Sequence, residues 1–215
     1  MFRALLPACV VVIETAEACG VEALPPDEAS CVANAVAKRR AEFATGRVCA
    51  RRALAALGVE GWPLLPDAQR VPVWPPGVVG SITHARGYTA AAAARRGEVA
   101  GLGLDVEVAS PLAPDLVDRI CLAAELRRQA ALPRLSGLDW PKLHFSAKEA
   151  AFKGYYPLAR RMLGFHDMEL EIDAAASAFV ARLVARDAPA ADGRRAFRGR
   201  FAWSEAHVFT AVVLD

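Results

Sequence analysis

The chain has 215 residues, 54% of them hydrophobic, enough for one large domain or two small ones with real cores and too apolar for a disordered protein. Its 26 basic and 24 acidic residues leave a net charge of +2, so no bulk field demands a nucleic acid or an anionic membrane, and any phosphate chemistry must be local. Four lysines (Lys38, Lys142, Lys148, Lys153) stand against 22 arginines, which makes a lysine the more informative cation.

At the N-terminus, Arg3, the apolar run from Ala4 to Ile13 and Ala16-Glu17-Ala18 loosely imitate a secretory signal. Pro7 interrupts that run and Glu14 and Glu17 crowd the supposed cleavage point, so an opening strand is expected instead. From Asp27 to Leu57 the pattern is helical, with Gly46 a possible divider into two helices. Residues 61–80 are crowded with Pro and Gly and are expected to be an irregular excursion. Then "YTAAAAA" and "VAGLGLDVEV" form two strand-like runs separated by "RRGE" at 95–98, which suggests an antiparallel hairpin.

Helical stretches follow from about 115 to 132 and from about 140 to 152, the second expected to stop at Gly154 and Pro157. "DMELEID", "AFVARLVA", "RAFRGRFAWS" and "HVFTAVVL" close the chain as strands. This order of elements predicts an α+β protein with mostly antiparallel sheets. The five cysteines (Cys9, Cys19, Cys31, Cys49, Cys121) show no CxxC pair and are read as reduced, in a cytoplasmic protein. No apolar stretch approaches the ~20 residues a spanning helix requires, so no membrane partner is expected.

The informative strand is "GLGLDVEV", residues 101–108. Alternation places Asp105 and Glu107 on one face and Leu104, Val106 and Val108 on the other. Two adjacent carboxylates repel unless the strand edge is solvated or a cation sits between them. Mg²⁺ takes a few carboxylates together with substrate phosphates, which raises the question of a third. "FSAKEAAFK" (145–153) supplies Glu149, with Lys153 one turn further on the same helix face. Locally the same residues also fit a capping box from Ser146 to Glu149, or an exposed Glu149–Lys153 ion pair.

Four blocks taken together resemble the 4′-phosphopantetheinyl transferases of the Sfp/EntD type. They are "KRRAEFATGRVCARRAL" (38–54), "WPPGVVGSITHARGY" (74–88), "GLGLDVE" (101–107) and "FSAKEAAFKGYYP" (145–157), in the family's order. One departure is Ala85, where members similar to this chain usually carry Cys after the Thr-His pair. The resemblance implies that Asp105, Glu107 and Glu149 bind Mg²⁺ or Mn²⁺ together with the coenzyme A pyrophosphate. It implies that Lys148 and Lys153 meet coenzyme phosphates, that Thr83 and His84 lie near the 3′-phosphate, and that Arg39 and Arg47 add phosphate contacts, with Arg51 and Arg70 weaker candidates.

The implied reaction is attack by a serine of an apo acyl or peptidyl carrier protein on the phosphate that bears pantetheine, releasing 3′,5′-ADP, as in the activation of nonribosomal peptide or polyketide synthases. Asp105, Glu149 and Lys153 would carry the chemistry, with Glu149 as leading general base and Glu125 as a second possibility. The implied fold is two similar α+β halves, 1–108 and 109–215, with the coenzyme between them in a monomer that needs no nucleic acid. A metal-dependent phosphohydrolase using the same carboxylates is one alternative. An RNA- or anion-binding module on the Lys38–Arg52 helix is another, weakened because Phe43 is its only aromatic. His144, His166 and His207 show no metal-like spacing.

Overall fold

The computed structural model describes Met1–Asp215. Residues Pro7–Val99 form one compact unit, and Met1–Leu6 with Ala100–Asp215 form a second.

The first unit contains β1 (Val11–Thr15), α1 (Pro26–Ser30), α2 (Ala37–Ala56), β2 (Val78–Ala85) and β3 (Tyr88–Arg95). Its antiparallel sheet has the order β1-β3-β2. The central strand carries Ala90–Ala94, all fully buried, as expected for a strand covered on both faces. Helix α2 lies on this sheet, packing Cys49, Ala50, Ala53 and Leu54 against Val78, Ala91 and Ala93. It runs unbroken through Gly46, where an added Cβ would come within 2.8 Å of Ile82 Cγ2. Gly46 therefore permits close approach of helix and sheet and does not divide the helix.

The second unit contains β4 (Gly101–Val108), α3 (Pro114–Ile120), α4 (Ala123–Gln129), α5 (Trp140–Ala159), β5 (Met168–Asp173), β6 (Ala178–Leu183), β7 (Ala196–Trp203) and β8 (His207–Leu214). All neighbours in its sheet are antiparallel, in the order β4-β8-β7-β6-β5. Helix α5 buries Leu143, Ala147, Ala151 and Tyr155 in a core with Met168, Phe179, Phe197 and Val212. That apolar face holds the helix together past Gly154 and Pro157, where local propensity predicts its end. In the opening segment Phe2 meets Phe209 edge-on, with ring centroids 5.4 Å apart.

The fold class is α+β with two antiparallel sheets, each carrying one long helix, as the order of elements predicts. Two expectations about strand pairing and the join fail. The hairpin is β2–β3, closed by Arg86-Gly87 between the paired Ala85 and Tyr88, whereas β3 and β4 belong to different sheets. The expected join near 109 consequently moves to 99/100, because β4 draws its ladder from β8 at the far end of the chain. The strand with Asp105 and Glu107 thus belongs with residues 100–215, not with the N-terminal half. The opening strand is real but begins only at Val11, and the 115–132 helix is two short helices.

Candidate active site

Residue alternation on β4 keeps its meaning in three dimensions. Leu104 and Val106 are fully buried on one face, while Asp105, only 4% exposed, and the half-buried Glu107 share the other. This rules out a solvated acidic edge. Helix α5 crosses the carboxylate face at backbone contact: a Cβ on Gly103 would stand 1.9 Å from Ala150 O and 2.7 Å from Gly154 N. Glycine at 103 is what lets Glu149 on α5 reach the neighbourhood of the β4 carboxylates.

The structure also removes both local explanations for Glu149. Asp139 caps α5, accepting from Lys142 N at 3.0 Å, so Ser146 lies well inside the helix and caps nothing. Lys153 directs its ammonium to Asp105 Oδ1 at 2.7 Å. Lys142, which the sequence pattern assigned no role, stands 3.8 Å from Glu107 Oε2; its scarcity as a lysine was the available signal.

Electrostatics tie the three acids together. The Glu107 carboxyl is pushed up to about 7, first by burial and then by the charge of Asp105, with Lys142 and Lys153 opposing and Glu149 adding. Burial also raises Glu149, Lys153 opposes it, and Asp105 reinforces it. As the side chains lie, no group of three or more His, Cys, Asp or Glu is arranged to hold a metal ion. The lysine ammonium groups occupy the place of counter-charge. The donor set itself, three mutually repelling carboxylates in a partly desolvated corner, suits a hard oxygen-seeking cation.

Lys148 and Glu125 are placed elsewhere. Lys148, 2% exposed, spends its three donors on Glu125 Oε2 (2.8 Å), Ile120 O (2.8 Å) and Phe165 O (2.9 Å). Glu125 also accepts from the backbone N–H groups of Leu122 and Leu170, both at 2.6 Å. The phosphate contact expected of Lys148 and the basic role considered for Glu125 therefore give way to a buried structural pair. Burial holds the Lys148 ammonium below the usual lysine range, against the pull of Glu125.

In the Pro7–Val99 unit the anion-recognising residues sort themselves similarly. Arg39 Nη1 lies 3.2 Å from His84 Nε2, and Glu42 Oε2 is within 4.0 Å of both. A guanidinium only donates, so in this contact Nε2 is the acceptor. Arg39 is half exposed and open to an anion. Thr83, next along β2, points to the opposite face from His84 and is 3% exposed, so the two are not brought together.

Arg47 is buried, stacks 4.4 Å above Phe43 and donates Nε–H to Leu64 O at 2.7 Å. Burial brings its guanidinium down to about 10, with Glu28 opposing. Arg51 is held by the fully buried Glu28 and by Ala23 O. Both arginines thus fasten the 61–66 loop and the α1 segment to α2, since Glu28 also receives Leu64 N. Arg70 sits in an exposed turn at φ 64°.

Comparison with known proteins supplies the family. Residues 27–94 match the model of the 4′-phosphopantetheinyl transferase N-terminal domain, and 101–194 match that of the 4′-phosphopantetheinyl transferase superfamily. The chain is 44% identical over 220 residues to the 4′-phosphopantetheinyl transferase Svp of Streptomyces mobaraensis, covering 100% of this chain and 89% of that protein.

The chain belongs to the 4′-phosphopantetheinyl transferases. It is 40% identical over 196 residues to PptT of Mycobacterium tuberculosis, spanning 88% and 85% of the two chains. With enterobactin synthase component D of Salmonella typhi it shares 36% identity over 124 residues, about half of each protein. The transferase is therefore an enzyme of the Sfp/EntD type. No helix in it is long and apolar enough to cross a membrane.

Proposed function

We propose that this transferase moves the 4′-phosphopantetheine arm of coenzyme A to a serine of an apo acyl or peptidyl carrier protein, in a Mg²⁺-dependent reaction that releases 3′,5′-ADP. The observation that carries the reading is the close approach of α5 to the carboxylate face of β4 at Gly103, which brings Lys153 to 2.7 Å from Asp105 and sets Glu149 in the same charged corner as Asp105 and Glu107. Asp105, Glu107 and Glu149 would hold the cation, which when bound supplies charge neutralisation at the pyrophosphate. Lys153, only partly buried, is placed to exchange its carboxylate for a phosphate oxygen and to neutralise the leaving group.

Glu149 is the residue we assign to accept the serine proton, since it lies in the same corner as Lys153 and Asp105, whose charges act on its buried carboxyl. Arg39, with His84 beside it, presents the donor chemistry for a phosphate monoester, the group that distinguishes coenzyme A from its dephospho form. The carrier substrates would be those of nonribosomal peptide or polyketide synthases.

The test is the intact mass of an apo carrier incubated with the enzyme, coenzyme A and Mg²⁺. A gain of about 340 Da with wild type and none with Asp105→Ala is expected. Release of 3′,5′-ADP without any carrier would instead identify a hydrolase.

A further inference from the structure

Two hydroxyls buried beside the carboxylates have no part in the chemistry above. Ser146 on α5 and Thr210 on β8 are both fully buried. Their Oγ atoms are 2.8 Å apart, and Thr210 Oγ1 also donates to Ser146 O at 2.9 Å. A hydroxyl has one proton. With the Thr210 proton given to the carbonyl, Ser146 must be the donor between the two oxygens. The result is a closed two-bond clasp between helix and strand.

Its position connects it to the site. Thr210 lies directly opposite Asp105 in the β4–β8 register. Ser146 is three residues before Glu149 and Lys153 four after it, so the three share one helix face. Glu149 is thus bracketed by one turn tied to β8 and another tied, through Lys153, to β4. The two ties differ in kind. The Lys153 side chain is 28% exposed and its partner can be exchanged, whereas the hydroxyl clasp is closed to water.

We propose that Ser146 and Thr210 are positioning residues, which fix the rotation and height of α5 over β4 so that Glu149 stays with Asp105 and Glu107 while Lys153 changes partners. The inference rests on the transferase reading above. Glycine at 103 sets how near α5 comes; the clasp sets which way Glu149 points.

The test compares wild type, Thr210→Val, Ser146→Ala, the double variant and Thr210→Ser in full-length enzyme. Each is assayed for carrier modification, for melting temperature and, without turnover, for Mn²⁺ binding by electron paramagnetic resonance in the presence of coenzyme A. Thr210→Val is expected to lower kcat about tenfold or more and to weaken Mn²⁺ binding, with KM for the carrier unchanged. It also lowers the melting temperature, because one buried hydroxyl loses its partner.

In the double variant neither hydroxyl is left over, so the melting temperature recovers while kcat and Mn²⁺ binding stay low; Thr210→Ser remains close to wild type. If Thr210→Val does not fold, Ser146→Ala and the double variant carry the comparison. Recovery of kcat together with the melting temperature would overturn the proposal and leave the clasp a packing feature. A wild type that modifies no carrier would overturn the transferase reading instead, while the Mn²⁺ arm would still decide the clasp.

Discussion

Lys148 and Glu149 are consecutive on α5 and have opposite fates. Side chains one residue apart on a helix diverge by about 100°, so one enters the core while its neighbour faces the carboxylates. Lys148→Met strands Glu125 as an unpaired buried charge, and we expect a loss of about 3–5 kcal/mol in urea unfolding with KM for coenzyme A unchanged in the folded fraction. Lys153→Ala is expected to abolish transfer at a smaller cost in stability, because the Lys153 side chain is 28% exposed and water can take its place at Asp105. A Lys148→Met enzyme of normal stability but raised KM would return Lys148 to the phosphates. Glu149 was legible in the sequence because its motif is spaced with β4; the fate of Lys148 was not, because its three acceptors come from residues 120, 125 and 165.

Among elements, the contact of β4 with α5 is the most demanding. Gly103→Ala forces a methyl against Ala150 O, and moving the helix away separates Glu149 from the strand. We expect a stability loss of about 1–3 kcal/mol and severe loss of transfer, measured against Gly97→Ala, where nothing lies within 4 Å of the added carbon. Equal behaviour of the two variants would show that the close approach is not needed. The four C-terminal strands were readable by alternation, and both long helices by their apolar faces. Pairing was not: "RRGE" at 95–98 looks as turn-like as Arg86-Gly87, and only the distant β8 decides which neighbour β4 takes. Where Gly46 and Gly154 lie in helices, propensity argues for breaks that burial overrides.

At the scale of the whole molecule, each unit carries a buried thiol. Cys49 lies in the core of the Pro7–Val99 unit and Cys121 beside Leu112 and Ile120 in the other, while Cys31 is exposed. Burial pushes the Cys121 thiol up to about 11 and raises Cys49 as well, so at pH 8 neither holds appreciable thiolate. A thiol reagent at that pH should label Cys31 and spare both. With rising urea Cys49 should react before Cys121, because a sheet centred on Ala90–Ala94 buries less apolar area than one packed with Phe179, Phe197 and Phe201. The reverse order would place the weaker core in the other unit.

The partner of β4 is made long after β4 itself. Residues 101–108 leave the ribosome long before 207–214, and β8 is the only strand that pairs with β4. Until then the acidic segment has no ladder to join, and a loop running from α3 through β7 must close before it gains one. A chain that stops before residue 207 therefore cannot present Asp105 and Glu107 on a finished sheet, whatever else of it has folded.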